Sequence, residues 1–272
     1  MTDKRDLPLQ DRFLELVKNP QFYWWCGHVC FVLNAILYFT SVLSLHSFPG
    51  FYRRAYAGAL VSYGIVIWRS LGVPKTVNLD FVNDENVQYF ALAFYWYSYC
   101  PITVTLLPFF IFSFFHAVAY IPSTLIPALI RDSENSAIYR VCQSMKQYTD
   151  THHELAMQLA AYVEVVGVMG RLIVGVLSFQ TSVLALIIFA HFLRLRYLFS
   201  NYTRDALHEA TAWLDQWFLP LAADERQAAQ LASKLYKNTK GIVIRYGSTS
   251  QLNNASTAGA TTAAGAATSN ES

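Results

Sequence analysis

The sequence has few charged residues, and two long stretches have none at all. Asp, Glu, Lys and Arg make up 14% of the 272 residues, whereas a soluble domain usually carries about 25%. None of these four types occurs from Asn86 to Ile130 or from Leu172 to Phe192. An uncharged apolar stretch of roughly 18 residues or more can cross a bilayer as a helix. The composition therefore excludes an ordinary soluble domain and predicts an all-α, polytopic membrane protein.

Cysteines, net charge and catalytic motifs are scarce as well. Four cysteines do not form a disulfide or zinc framework, and a net charge of +2 is too small to indicate nucleic-acid binding. Neither a G-x-S-x-G nor a Walker sequence occurs. Cys26 and Cys30 share a helix face, but His28 points elsewhere and no fourth ligand accompanies them. We expect no enzyme activity, no metal and no cofactor.

The sequence also lacks the pattern of a cleavable signal peptide. The first 21 residues are polar and charged, and the apolar run from Phe22 to Leu45 exceeds a signal h-region of about 7–15 residues. We therefore expect this run to be a retained span. It opens with Trp24 and Trp25, which we predict to anchor the helix at the membrane interface.

Three further apolar segments bring the predicted total to about four. Between Arg54 and Arg69 there are 14 uncharged residues, so 51–73 is either a short span with snorkelling arginines or a shallow hairpin. The segment 86–130 is broken by four prolines and is either one kinked span or a tight hairpin. The run 172–192 is predicted to be the last span.

The distribution of basic residues predicts the orientation. With four crossings, one side holds four Lys and Arg before residue 22, two in the second loop and eight from Arg194 to Arg245, and the other side holds six. The excess favours both termini in the cytosol. Arg194, Arg196, Tyr197 and Tyr202 follow the last span, and we predict that they anchor it at the headgroups.

Amphipathic segments flank the predicted spans. Residues 9–18 form a short lead-in, and 203–221 has an apolar face beside an acidic one. Residues 224–240 combine apolar and basic residues, which is typical of a helix that binds an anionic cytosolic leaflet, although each helix could instead fold back onto its own protein. The predicted membrane-binding residues of both segments are Trp213, Trp217, Phe218, Leu231, Lys234, Leu235, Lys237 and Lys240.

These patterns divide the chain into four parts. We predict a cytosolic lead-in at 1–21, a membrane domain at 22–200, cytosolic amphipathic helices at 201–246 and a disordered tail at 247–272. The tail is small, polar and repetitive, and it cannot bury enough apolar area to offset the cost of ordering.

Glu164 and Arg171 are the ionisable residues that we expect within the membrane. At 100° per residue, both lie close to His153 on one helix face, and intramembrane ionisable groups are often functional. One hypothesis is therefore a small transporter or a lipid-handling enzyme that uses Glu164, Arg171 and His116, which predicts a water-accessible cavity at Glu164. The alternative is that Glu164 pairs with Arg171 or with another helix.

Three pieces of the chain resemble the transmembrane protein 33 family, which includes related fungal nuclear-pore membrane proteins. They are NPQFYWWCGHVCFVLNAILYF at 19–39, LLPFFIFSFFHAVAYI at 106–121 and FLRLRYLFSNYTRDAL at 192–207. The resemblance covers most of residues 9–220 and carries over no catalytic residue.

This resemblance implies a non-enzymatic protein of the endoplasmic reticulum and nuclear envelope. Members of the family are associated with tubular reticulum shape, with reticulon-type shaping proteins and with nuclear pore components. In fungal members the C-terminal amphipathic region is linked to membrane binding and to an import receptor. The matching region here is 203–245, whose basic residues are spread out rather than clustered.

Overall fold

The computed structural model describes residues 8–72, 79–130, 137–220, 227, 229–238 and 240–241. These residues are almost entirely helical, and no strand occurs among them. This confirms the predicted all-α class. The predicted tail at 247–272 and the basic residues Arg226 and Arg245 lie outside the described residues.

Eleven α-helices are found in the described part of the chain. They are α1 (Leu9–Lys18), α2 (Pro20–Leu43), α3 (Pro49–Ser70), α4 (Leu79–Asn83), α5 (Glu85–Ser98), α6 (Leu106–Tyr120), α7 (Ile126–Leu129), α8 (Ala137–Tyr162), α9 (Met169–Leu177), α10 (Val183–Phe199) and α11 (Asn201–Phe218). A 3-10 turn at Thr103–Thr105 precedes α6, and π-helical turns at Ile121–Leu125 and Val163–Val168 join α6 to α7 and α8 to α9. A further helical stretch covers 229–238.

Polar caps explain where several of these helices begin. The Asn19 side chain accepts a hydrogen bond from the Gln21 amide, and Pro20 occupies the first helical position of α2. Asp84 accepts hydrogen bonds from the amides of Asn86 and Val87 at the start of α5. Such caps satisfy amides that have no partner within the helix. They separate α1 from α2 and fix the first residues of α5.

The structure decides between the alternatives that the sequence left open for segments 51–73 and 86–130. Segment 51–73 is not a shallow hairpin, because α3 is one uninterrupted helix of 22 residues. Segment 86–130 contains two helices, α5 and α6, which run in opposite directions. The Tyr89 ring, early in α5, lies near Phe109 and Phe112 of α6. Trp96, later in α5, lies near Thr105, which immediately precedes α6. The two helices therefore form a hairpin.

The prediction of a continuous span at 172–192 is wrong. Helix α9 ends at Leu177, and α10 begins only at Val183. Between them Phe179 has φ 58°, and the amides of Gln180 and Thr181 both bond to the Gly175 carbonyl. This tight closure reverses the chain, so the apolar run is divided between two helices.

Three short connections lie at one end of the bundle in the first of two compact units, Met1–Phe192. We call this the short-loop end, and it comprises residues 44–48, 99–102 and 178–182. Tyr38 of α2 and Tyr52 of α3 bond to Thr103 and Thr105 at 3.5 and 2.9 Å. The Ser182 amide donates to the Tyr99 hydroxyl at 3.0 Å. Helices α2, α5 and α8–α9 therefore run towards this end, and α3, α6 and α10 run away from it.

The core of this unit combines a close helix crossing with many aromatic rings. A Cβ atom added to Gly58 would lie 2.6 Å from the Gly27 carbonyl oxygen, so α2 and α3 touch through their backbones. Small residues at helix crossings permit this approach in membranes. Phe31, Tyr56 and Phe109 fill the adjacent space, with ring centroids 5.3–6.0 Å apart.

Three helical segments are long and apolar enough to cross a membrane alone. They are Pro20–Leu43, Thr103–Leu129 and Ala137–Leu177, and α10 with α11 would give a fourth if that pair, bent by 115°, counted as one span. These segments confirm a multi-pass membrane protein. Helices α3 and α5 complete the bundle although they do not meet the same criterion of length and composition.

Candidate functional site

The predicted interface tryptophans join α2 to α6. Trp25 donates a hydrogen bond from Nε1 to the Ala117 carbonyl at 3.0 Å, and its ring stacks on Tyr120. The Trp24 ring meets His28 and His116 edge-on. Both tryptophans are only half-buried, so part of each ring remains available to lipid. They lie at the end of the bundle opposite the short-loop end, and their anchoring role stays a prediction.

The arginine and tyrosine anchors flank a sharp bend. Arg194 and Tyr197 are half-buried near the end of α10, Arg196 is buried, and Tyr202 is half-buried in α11. The Ser200 side chain accepts a hydrogen bond from the Thr203 amide and caps α11. We expected all four side chains to lie at the headgroups, but the buried Arg196 is part of the protein interior.

The second compact unit, Leu193–Ser272, holds its two amphipathic helices together by a polar contact. The Asp215 carboxylate of α11 accepts hydrogen bonds from the Tyr236 hydroxyl at 2.7 Å and from the Lys240 ammonium at 2.5 Å. The Phe218 ring stacks on Tyr236 with centroids 5.1 Å apart. We call these four residues the clasp. Tyr236 and Lys240 are four residues apart, so one helix face presents both donors.

The clasp shifts the pKa values of its two acids in opposite directions. Hydrogen bonds from Lys240 and Tyr236 lower the pKa of the Asp215 carboxyl, because they favour the charged form. Burial, together with the neighbouring Asp215 carboxylate, raises the pKa of Tyr236 to about 12. The stability that Asp215 contributes to the folded state is therefore present above its unfolded pKa and is lost as pH falls through the lowered pKa. The stability that Tyr236 contributes is lost as pH rises through its raised pKa of about 12.

Acid should therefore release 229–238 from α11. We expect amide hydrogen exchange in 229–238, corrected for intrinsic rates, to be faster at pH 3 than at pH 6, because the stabilisation from Asp215 decreases progressively once the pH is below the unfolded pKa of the carboxyl, about 3.9. Asp215→Asn should raise exchange at pH 6 and reduce the difference between the two pH values. Helix α3, which lies far from Asp215 in sequence and carries no acidic residue, serves as the internal control. Equal protection of 229–238 in the wild type at both pH values would contradict the assignment.

Apolar residues are exposed outside the clasp. Trp213 and Trp217 are 58% and 63% exposed, with rings 6.0 Å apart. Both are two residues from Asp215, so they point away from the clasp side of α11. Leu231 and Leu235 are each 58% exposed.

Only part of the predicted basic face of 224–240 is exposed. Lys234 and Lys237 are exposed, close to Leu231 and Leu235 on the helix surface. Phe218 and Lys240, which we predicted to bind membrane, are instead engaged in the clasp. The two stretches thus fold onto each other and still present apolar and basic residues outward.

Glu164 and Arg171 do not share a helix face. Glu164 is 1% exposed, whereas Arg171 is exposed, as is His153. The prediction assumed 100° per residue throughout, but Val163–Val168 is π-helical. A π-turn has i→i+5 hydrogen bonds and a smaller rotation per residue, which moves Arg171 away from the interior.

Glu164 instead bonds to another helix. The Tyr89 hydroxyl of α5 donates to Glu164 Oε1 at 2.7 Å. The packing among Trp96, Phe109 and Phe189 beside Glu164 leaves no volume for a water molecule. Among the residues that the structure describes, this packing gives no support to the water-accessible cavity that the transporter hypothesis predicts. Tyr89 was missed because one tyrosine in an aromatic segment carries no distinguishing signal in the sequence.

The residues around Cys26 have mainly packing contacts. His28 is buried and bonds through Nδ1 to the Ser113 hydroxyl at 3.1 Å, while Cys30 faces outward. In the described part of the chain, no three His, Cys, Asp or Glu side chains are grouped as metal ligands.

Comparisons with known proteins place the whole fold in context. A family model described as Transmembrane protein 33/Nucleoporin POM33 matches residues 13–249. Tetra-spanning protein 1 of Schizosaccharomyces pombe is 33% identical over 80% of this chain and 81% of its own. Nucleoporin POM33 of Chaetomium thermophilum is 30% identical over 77% and 81%.

A further relative bears the name Pore and endoplasmic reticulum protein of 33 kDa. It comes from Saccharomyces cerevisiae and is 30% identical over 42% of this chain and 45% of its own. No solved structure matches the chain significantly. The family model spans the membrane bundle and both amphipathic helices, and the names of the relatives point to the endoplasmic-reticulum and nuclear-pore membranes. This chain therefore belongs to the Transmembrane protein 33/Nucleoporin POM33 family and is a multi-pass membrane protein.

Proposed function

We propose that the protein is a non-enzymatic organiser of membrane shape in the endoplasmic reticulum and nuclear envelope. The observation that carries this proposal is the pair of helices held by the clasp, which presents Leu231 and Leu235 beside Lys234 and Lys237. Apolar residues next to exposed lysines suit the boundary between acyl chains and anionic headgroups. Trp213 and Trp217 offer a second apolar contact to the same leaflet.

The mechanism is asymmetric insertion. Helix 229–238 enters the cytosolic leaflet to the depth of its leucines, while its lysines contact lipid phosphates. The inserted volume expands one leaflet relative to the other, and this favours curvature. The alternative of a shallow hairpin at 51–73 plays no part in this mechanism, because α3 is continuous.

Both chain termini lie on the cytosolic side in this proposal. With α5 and α6 as a hairpin, Arg140 and Lys146 move to the same side as the termini, which corrects the assignment made with four crossings. The cations nearest the short-loop end, among the residues that the structure describes, are Arg53, Arg54 and Arg171. Cytosolic segments carry the excess of Lys and Arg, so the end opposite the short loops faces the cytosol.

Nuclear pore components and reticulon-type shaping proteins are the protein partners that we propose. The names of the relatives support association with the pore, and a shared preference for curved membrane would bring shaping proteins together. An import receptor is a weaker candidate than anionic lipid, because Lys240 is already paired with Asp215. Lys234 and Lys237 remain exposed for lipid phosphates.

Anionic lipid should draw the leucine face into the bilayer. A fluorescent NBD label at position 231 of the otherwise cysteine-free, full-length chain should become brighter and blue-shifted in phosphatidylserine-containing vesicles, compared with phosphatidylcholine alone. Lys234→Gln/Lys237→Gln should lower the docked-to-undocked ratio roughly 30-fold, since each lysine near an anionic surface contributes about 1 kcal/mol. Electron microscopy of the same vesicles should show narrower profiles for the wild type.

Two controls separate a specific contact from net charge. Lys18→Gln/Lys146→Gln removes the same charge elsewhere and should leave the label at 231 unchanged. A label at His208, which is exposed in α11, should remain water-accessible. Docking that does not depend on Lys234 and Lys237, or vesicles of equal diameter with both proteins, would refute the proposed mechanism.

A further inference from the structure

Measured along α5, the short-loop end lies closer to the charged start of that helix than the thickness of the hydrocarbon core of a bilayer. Asp84 and Glu85 begin α5 at the opposite end of the bundle. The helix has 14 residues and is therefore about 21 Å long. The hydrocarbon core of a bilayer is about 30 Å thick. With Glu85 at the headgroups, residues 99–102 lie inside the far leaflet.

Helix α3 gives a second, independent measure of the distance from the charged end of the bundle to the short-loop end. Arg54 and Arg69 are 15 residues apart in this uninterrupted helix, which corresponds to about 23 Å. Arg69 lies at the same end as Glu85, and Arg54 lies one turn from the short-loop end. The two helices agree on the depth at which the connections begin.

The tips of the short-loop end are uncharged and expose large apolar side chains. Residues 44–48, 99–102 and 178–182 contain no Asp, Glu, Lys or Arg. Leu45 and Phe179 are 92% and 97% exposed, and each has φ 58°, a backbone conformation that is uncommon for large side chains. Leu43 and Phe48 are also exposed. Large apolar residues held outward in this way suit contact with lipid and are unfavourable in water.

Two arginine side chains extend towards these tips. The Arg54 guanidinium lies over the Phe51 ring, 5.2 Å from its centroid, nearer the start of α3. The Arg171 guanidinium lies beside Gly175, nearer the end of α9. Both helix ends belong to the short-loop end. Long basic side chains reach in this manner from the hydrocarbon region to headgroup phosphates.

We propose that the short-loop end is a lipid-binding surface embedded in the far leaflet. Its tips contact acyl chains at the acyl–headgroup boundary, and Arg54 and Arg171 bind the phosphates of that leaflet. The occupant is phospholipid rather than a second protein, because the exposed tips continue the apolar surface of the bundle and the adjacent arginines match the charge of phosphates. This inference does not depend on the proposed function.

Native cysteines allow a test with little perturbation. Cys100 lies in the short-loop end and is exposed, whereas Cys142 is half-buried in the first part of α8. The purified full-length chain is placed in phosphatidylcholine nanodiscs, in which both membrane faces are open to water. Variants retain Cys100 alone, Cys142 alone, or a single Leu45→Cys or Phe179→Cys in a cysteine-free background. Each variant is treated with a membrane-impermeant maleimide before and after SDS.

The expected pattern is that Cys142 reacts in the nanodisc, while positions 45, 100 and 179 react only after SDS. Reaction of position 45 or 179 at the rate of Cys142 would show that the tips lie in water and would overturn the proposal. Because the disc is assembled with one copy of the chain and the scaffold protein lies at the rim of the disc, protection cannot come from a partner. Cys100 requires no substitution at the tips, so its result stands even if a variant misfolds.

A spin label tests the arginines. A label at position 45 should be accessible to oxygen and little accessible to a nickel chelate. Arg54→Leu/Arg171→Leu should increase the oxygen-to-nickel ratio by letting the tip sink deeper, whereas Arg69→Leu at the other end should not change it. An unchanged ratio in the double variant would overturn the role of the phosphates.

Discussion

Replacing Gly58 by leucine is expected to prevent the stable pairing of α2 and α3. A Cβ atom at position 58 would lie 2.6 Å from the Gly27 carbonyl oxygen and 2.8 Å from the Phe31 amide nitrogen. Both are backbone atoms of α2, so no side-chain rotation relieves the clash. Overpacking of a core typically costs about 1–3 kcal/mol and sometimes more, and we expect a loss of about 3 kcal/mol or more here. Urea unfolding in mild detergent, followed by near-ultraviolet circular dichroism, measures the loss.

A glycine in an open position provides the matched control. A Cβ atom at Gly170 in α9 has no neighbour within 4 Å, so Gly170→Ala should be neutral or stabilising by up to about 1 kcal/mol through helix propensity. Gly58→Ala should already be destabilising, since the clash involves Cβ itself. If the Gly58 and Gly170 variants unfolded at the same urea concentration, the α2–α3 contact would not have the geometry described.

Composition was sufficient to predict the helical membrane class but not the number of passes. The absence of charge from 86–130 and 172–192 predicted apolar helices there, and both runs are helical apart from the turns that divide them. It could not show where each run reverses, because the turns use uncharged polar residues. At 178–182 the sequence reads Ser-Phe-Gln-Thr-Ser, and Phe179 takes a left-handed conformation that a propensity argument assigns to glycine.

Helical periodicity failed where the helix itself changed pitch. Glu164 and Arg171 line up only if every residue turns by 100°, and the π-turn at Val163–Val168 breaks that assumption. The sequence of this turn, VEVVGV, has no proline to warn of an irregularity. The helix is instead held by the partner that Glu164 finds in Tyr89, and such a long-range contact is invisible to a local pattern.

Helix α11 and the helical stretch 229–238 overlap the two predicted amphipathic segments, but their mutual contact was not foreseen. Periodicity identifies the apolar side of each helix, and it predicted the exposed lysines. It cannot show that Asp215 meets two donors more than 20 residues away, since either helix could equally have packed on lipid. Phe218 and Lys240 were therefore assigned to the membrane although the clasp uses both.

Each hydroxyl group buried inside the bundle needs specific hydrogen-bond partners, whereas an apolar residue needs only to be packed. Thr105 donates to the Ile102 carbonyl at 2.7 Å and accepts from the Tyr56 hydroxyl at 2.9 Å. The Tyr52 hydroxyl lies 2.9 Å away, and it must be a donor because the single Thr105 proton is already used. One donor and two acceptor sites are all that a hydroxyl offers. Thr105 is thus fully satisfied and ties α3 to the start of α6.

Thr105→Val should therefore destabilise the protein far more than its change in volume suggests. Tyr52 and Tyr56 are completely buried, and valine removes the acceptor that both hydroxyl groups share. Each unsatisfied buried group costs about 1–3 kcal/mol, so we expect a loss of about 2–4 kcal/mol in the same urea measurement. Thr105→Ser keeps the hydroxyl and should lose only about 0.8 kcal/mol for the missing methyl group.

Replacing Tyr52 and Tyr56 by phenylalanine in the Thr105→Val variant should restore most of that stability, because it removes the hydroxyl groups that have lost their shared acceptor. In Tyr52→Phe/Tyr56→Phe/Thr105→Val no donor lacks an acceptor, because replacing all partners by apolar groups of similar shape is nearly neutral. The triple variant should therefore be more stable than Thr105→Val alone, although it contains two additional substitutions. Additive losses across the three sites would mean that the hydroxyl groups act independently and that Thr105 is not their common acceptor. A recovery confined to this set, with no effect of Tyr38→Phe on Thr105→Val, would identify Thr105 as the residue that holds α3 against α6.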